Sequence, residues 1–279
     1  MSDLYRRVVV ALILIGVVIA FLFFAFHPLL QYVVVGCVAL TASVAIWEYE
    51  KFAKAKGGRM ILPVLIGLTF AEVLSFFFSA EYVSMQSAPF IVFLIGFLIL
   101  FALHFGEKDG AIVDLAVSSF GLLYIAVPMG MILGILYLHG VDGRWWVAYL
   151  LVVTKITDIG AYFAGSLWGR RKLAPTISPK KTIEGAIFGL VCAMAASLVF
   201  SLLSDYAGPF HLSTFEWLCL GFILGLVGQF GDLSESLLKR DANKKDSNAL
   251  PGLGGILDLV DSILFNATII FIYLHYIKL

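Results

Sequence analysis

Apolar residues run through this chain in blocks of about twenty, separated by short polar stretches, and that block length is set by a bilayer. A hydrocarbon core about 30 Å thick takes roughly 20 residues of helix. Segments of that kind lie at 8–26, 29–46, 61–79, 89–105, 115–138, 146–165, 183–204, 215–231 and 257–277. The ends of the fifth, eighth and ninth are the least sharply marked, because Gly, Pro or polar residues interrupt the apolar pattern there. Arg6-Arg7 ahead of the first segment has the look of a secretory signal, but the apolar run from Val8 to Phe26 is long and no small-x-small cleavage site follows it. The expected fold is an all-α polytopic integral membrane protein with about nine transmembrane helices.

Composition sharpens that picture. Of 279 residues, 61% are hydrophobic and 14% charged, whereas a soluble domain carries about 25% charged residues. The net charge of zero makes nucleic acid an unexpected partner. Cys37, Cys192 and Cys219 stand in apolar stretches without a CxxC pair, so neither a disulfide framework nor a zinc site is expected. The placement of cations is more telling. With the N-terminus inside, 16 of the 19 Lys and Arg residues fall on one side, and only Arg144 and Lys278 on the other, with Lys155 inside a span. The positive-inside rule then makes the N-terminus and the basic loops cytoplasmic and the C-terminus external. A compact chain of this kind, without targeting extensions, fits a bacterial inner membrane.

Two halves differ in tone. Residues 1–145 read as a transmembrane scaffold of about five helices rich in Leu, Val, Ile and Phe, with Glu48, Glu50 and Glu72 among the few acidic groups in or near the first three. Residues 146–279 read as the functional half, where polar residues crowd into loops 166–182 and 232–256 and the helix ends beside them. Small-xxx-small spacings at Gly130/Gly134, Gly165/Gly169, Gly185/Gly189 and Gly221/Gly225 permit close helix contact within one chain or between two.

Three groups of residues could carry chemistry. In the sixth span a helical period puts Lys155, Asp158 and Tyr162 on one face; charges at that depth either neutralise each other or line a polar cavity. The loop from Gly169 to Gly185 offers five cations, the hydroxyls of Ser178 and Thr182, and a helix starting at about Thr182, a combination suited to phosphate. If 231–240 is helical, Asp232, Ser236, Lys239 and Arg240 share one side, and Asp258 and Asp261 share a face of the last helix. Carboxylates converging near lysines suit magnesium-dependent nucleotidyl transfer, because Mg²⁺ takes oxygen ligands and bridges substrate phosphates. Gly252, Gly254 and Gly255 would let the chain turn closely around a phosphate or into the last helix.

These residues resemble a known family, the phosphatidate cytidylyltransferases. The run Ser236-x-x-Lys239-Arg240, then Lys-Asp246-Ser, then Pro251-Gly-x-Gly254-Gly255-Ile-Leu-Asp258-x-x-Asp261-Ser is similar to that family's signature. So are Gly231-Asp232-Leu-x-Glu-Ser, Thr157-Asp158-x-Gly-Ala-Tyr162 and Ser178-Pro-Lys180-Lys181-Thr182-x-Glu184-Gly185, and together the matches cover roughly 150–265. Two positions depart from the pattern: Leu253 and Leu259 stand where the family carries His and Arg, and the loop before Pro251 is one residue shorter.

The resemblance implies an enzyme that transfers CMP from CTP to phosphatidic acid, giving CDP-diacylglycerol and pyrophosphate. It implies Mg²⁺, alone or with a second cation, on Asp232 and Asp258, with Asp261 and Asp246 in support. Lys239, Arg240, Lys244, Lys180 and Lys181 would hold phosphates of the two substrates. The matched motifs add Ser178, Thr182, Glu184, Asp158, Ser236, Gly254 and Gly255 to the substrate-binding set, and the family's homodimers make a second copy an expected partner. A secondary transporter using Lys155 and Asp158 is a rival reading, disfavoured because the polar residues cluster at one membrane surface. Another lipid-linked phosphotransferase is a second rival; the Asp-Gly-x-x-Ala-Arg string of CDP-alcohol phosphotransferases does not occur.

Overall fold

The structure, a computed structural model, describes residues 3–106, 109–204, 212–244 and 254–278. Its helices are α1 (Asp3–Phe24), α2 (Leu30–Ala55), α3 (Leu62–Glu81), α4 (Ala88–His104), α5 (Ala111–Gly121), α6 (Val127–Leu136), α7 (Gly143–Trp168), α8 (Ile183–Leu203), α9 (Thr214–Asp241) and α10 (Ile256–Tyr273). A hairpin of β1 (Lys172–Ala174) and β2 (Ser178–Thr182) joins α7 to α8. Among the described residues eight helical stretches are long and apolar enough to cross a membrane, and they fall on the second to ninth expected spans. The first expected span falls on α1. Large apolar side chains such as Phe90, Leu98 and Phe23 point outward, as a lipid solvent requires. The protein is an integral, multi-pass, all-α membrane protein.

Two helices outrun their apolar segments. α2 continues past residue 46 to Ala55, where no Gly or Pro interrupts it and Glu50 pairs with Lys54 one turn on at 2.8 Å. α9 continues past 231 to Asp241 because its charged extension keeps helix-forming residues, so Asp232, Ser236 and Lys239 do lie along one face. The fifth span is broken instead. Pro128 lacks the amide that would bond one turn back, and the backbone widens into a π-turn over Leu122–Ala126 in which the Val127 amide reaches Leu122 O. Two residues further on, Gly130 makes room for Phe76 of α3, whose ring would lie 2.3 Å from an added Cβ.

Contacts divide the chain into two units. The first comprises Met1–Tyr137 with Ala242–Leu259; the second comprises Leu138–Asp241 with Val260–Leu279. In the first, the ring of Tyr137 meets Phe77 and Phe26, with centroids 4.9 and 6.1 Å apart, and its hydroxyl donates to Ala25 O at 3.1 Å. In the second, helices meet backbone to backbone: a Cβ on Gly185 of α8 would lie 2.6 Å from Ala161 O and 3.0 Å from Gly165 Cα of α7. Gly221 and Gly225 of α9 face Ser197 and Ala193 of α8 at similar range. Members of all four small-residue pairs therefore make close contacts within one chain.

Candidate active site

Between α7 and α8 the chain builds a fastened hairpin. β1 and β2 run antiparallel with Lys172 opposite Thr182 and Ala174 opposite Ser178. Thr182 caps α8, its hydroxyl accepting from the Gly185 amide at 3.2 Å, and its side chain fills the space left by Gly165 and Gly169. Glu184 reaches back to accept from the amides of Arg170 and Arg171 at 3.0 and 3.2 Å. Arg240, at the end of α9, donates through Nε to Ile177 O in the hairpin turn at 3.0 Å. Thr182, Glu184 and Arg240 thus hold the hairpin in place. Ser178 sits in its ladder.

The hairpin forms one wall of a cavity of about 420 Å³. Asp158 and Tyr162 of α7, Lys172, Lys180 and Lys181 of the hairpin, and Gln229 and Asp232 of α9 line it. Lys181 forms an ion pair with Asp232. Lys155 approaches Asp158 at 3.7 Å. Asp261 on α10 is buried, is steadied by the Ser262 amide and hydroxyl, and lies within electrostatic reach of Asp232, Asp158 and Lys155. Three carboxylates, Asp158, Asp232 and Asp261, thus stand beside four ammonium groups, Lys155, Lys172, Lys180 and Lys181, so the cavity carries both signs of charge at close range. Gln229 donates to Ala186 O and Gly225 O, and Glu235, fully buried, pairs with Lys239. Ser236 lies one turn after Asp232 on α9.

The remaining expected residues belong to the first unit, at the start of α10. The backbone at Gly254 has φ +88°, and a Cβ there would lie 2.9 Å from Asp258 Oδ2; the position excludes side chains on both counts. The Gly255 amide donates to the same Asp258 oxygen at 2.9 Å. The next two amides, Ile256 and Leu257, donate to the carboxylate of Glu48 at 2.9 and 2.7 Å. Lys244 follows a left-handed turn at Asn243, φ 54°, while Asp246 and Leu253 lie outside the described residues. Leu259 is half-buried on α10.

Among the described residues, no three His, Cys, Asp or Glu side chains converge closely enough to chelate a metal unaided. The oxygen donors beside the cavity are the carboxylates of Asp158, Asp232 and Asp261, the donor type Mg²⁺ takes, usually one or two at a time with water and substrate phosphates completing its shell. Sequence reasoning did not single out Lys172 and Gln229 as cavity residues or Glu48 as a helix cap. The basic-loop pattern contained Lys172; nothing local marks the other two.

A family model described as the cytidylyltransferase family matches residues 5–277. The chain belongs to that family. Phosphatidate cytidylyltransferase of Chlamydia pneumoniae is 32% identical over 98% of this chain and 92% of its own length. The protein of that name from Bacillus subtilis is 34% identical over 95% of each chain, and the one from Staphylococcus aureus is 46% identical over 44% of this chain and 46% of its own length. Membership makes the protein a nucleotidyltransferase, and a cavity lined by three lysines and two aspartates is suited to the anionic reactants of such a transfer.

Proposed function

We propose that this protein transfers CMP from CTP to phosphatidic acid, forming CDP-diacylglycerol and releasing pyrophosphate. The observation that carries the reading is the cavity itself: three ammonium groups on the hairpin and two carboxylates on membrane-spanning helices suit a reaction between a water-soluble nucleotide and a lipid phosphate. A phosphatidate oxygen attacks the α-phosphorus of CTP; that P–O bond forms as the bond to pyrophosphate breaks. Both reactants are anionic, so lowering the barrier means neutralising charge and holding the oxygens in line. Lys172, Lys180 and Lys181 supply the neutralisation. A phosphate monoester is already largely ionised at neutral pH, its second pKa being about 6, so no dedicated base is needed.

The ion pair between Lys181 and Asp232 gives the site a resting state. An arriving phosphate competes for Lys181 and releases Asp232. Asp232, with Asp258 as its expected companion, would hold Mg²⁺, which would supply positive charge to offset that of the substrate phosphates and the leaving pyrophosphate. Lys239, Lys244 and Arg240 complete the proposed cationic set. In this reading the site faces the cytoplasm, where 16 of the 19 basic residues are assigned, with the N-terminus inside, the C-terminus outside and the chain in a bacterial cytoplasmic membrane as a homodimer.

Transfer of label from α-³²P-CTP into the lipid phase by purified protein, with phosphatidate and titrated Mg²⁺, tests the proposal. Labelling that requires both lipid and metal, and vanishes in Asp232→Asn, is the expected result. Folded protein that labels no lipid across several phosphatidates and divalent metals would overturn it.

A further inference from the structure

Within the first unit one side chain of α2 holds the start of α10. Glu48 is fully buried, and its two carboxylate oxygens take the Ile256 and Leu257 amides at 2.9 and 2.7 Å. The preceding amide, Gly255, goes to Asp258 at 2.9 Å. A helix begins with amides that have no intrahelical partner, and here three consecutive ones are taken by two carboxylates. Anionic groups are favoured at that end by the helix dipole as well. A carboxylate gripping two successive amides sets both the rotation and the axial position of the first turn, and Asp258 is on that turn.

We infer that Glu48 is a positioning residue for the transfer reaction, acting through Asp258; the inference rests on the role proposed above for Asp258. The arrangement also closes the start of α10 to anionic ligands, because the amides that would bind a phosphate are already used. Phosphate recognition is left to the lysines.

The side-chain chemistry makes the role specific. A Gln at 48 offers one carbonyl acceptor and turns an NH₂ group toward the second amide, donor against donor. An Asp keeps the charge but is one methylene too short to reach both amides at once. Turnover is sensitive to such shifts, since a misplacement of about 1 Å can cost on the order of 100-fold.

The test compares Glu48→Gln, Glu48→Asp and wild type as monodisperse purified protein, reading kcat and KM for both substrates and hydrogen–deuterium exchange across 255–260. For Glu48→Gln the expected result is kcat down by about 10- to 100-fold, KM values within about threefold, and faster exchange confined to the first turn of α10. Glu48→Asp should fall between it and wild type in both readouts. Asp258→Asn separates this inference from the functional proposal: it should abolish turnover yet keep the Ile256 and Leu257 amides protected. Wild-type kcat per folded molecule in Glu48→Gln, or unchanged exchange at 255–260, would overturn the positioning role. If wild type itself transfers no cytidylyl group, the functional proposal fails, and the exchange measurement still decides whether Glu48 holds the helix.

Discussion

Both units set carboxylates among their helices, and they use them differently. In the first, Glu48 binds the amides of Ile256 and Leu257, and Asp114 accepts from the Arg59 amide at 2.6 Å. In the second, Asp158 and Asp232 face Lys155 and Lys181 beside a cavity. An amide is fixed in the backbone, so a carboxylate bound to it is a permanent joint. A lysine sits on a flexible stem and is a compact point charge, so its carboxylate can be exchanged for a phosphate. Glu184, on the Arg170 and Arg171 amides, shows that the second unit uses joints too, to fix the hairpin rather than to meet substrate.

If the contrast holds, removing an exchangeable charge should stop chemistry and spare the fold. Asp232→Asn is expected to lower turnover by about 1,000-fold or more, the scale of losing a key electrostatic group, while the thermal midpoint in detergent barely moves. A collapse in stability instead would make Asp232 another joint. The opposite outcome is expected of Asp114→Ala: about 2 to 3 kcal/mol of stability lost from a part-buried amide deprived of a charged acceptor, with kcat per folded molecule unchanged, read by denaturation and assay of the same preparation. Gly185→Ala tests the backbone contact of α7 with α8. The added methyl should cost about 2 kcal/mol by overpacking and should lower activity as well, since Lys180 and Lys181 immediately precede that helix.

The smallest effect concerns Asp142, which caps α7 by accepting from the Arg144 amide. Asp142→Ala should cost about 1 kcal/mol, seen as a modest drop in thermal midpoint. Hydrogen bonds from the Arg144 guanidinium hold the Asp142 carboxyl below the usual carboxylate range. The stability it contributes is therefore present above the ordinary carboxylate value near about 4 and is lost as pH falls through its lower folded-state value. A wild-type minus Asp142→Ala difference that grew on acidification would reverse that sign.

Helix positions were legible because hydropathy is a local property: the apolar blocks became helical, the fifth with a π-turn before Pro128, and the largest overruns come where charged but helix-forming residues follow, as at Glu48–Ala55 and Asp232–Asp241. The meeting of Asp158, Lys180, Lys181 and Asp232 was readable as a set of motifs but not as a shape, since it depends on how closely α7, α8 and α9 approach through Gly165, Gly185 and Gly225. The hairpin was hidden within a basic loop; five cations suggested a phosphate cradle, while the strands themselves are only three and five residues long. Glu48 was invisible for a plainer reason. Its partners lie 208 and 209 residues away, and nothing in the neighbourhood of Trp47-Glu48-Tyr49 records them.

That separation has a consequence for how the chain is made. The α7–hairpin–α8 segment closes over short distances, Glu184 meeting Arg170 only 14 residues back, so it can form soon after its helices emerge. The grip of Glu48 on α10 has to wait until a residue 208 positions further along the chain has been synthesised and inserted. Until then a carboxylate destined for full burial has no partner, a state that destabilises a half-assembled bundle. The start of α10 removes that defect when it arrives, which makes the clasp a late contact in the order of assembly.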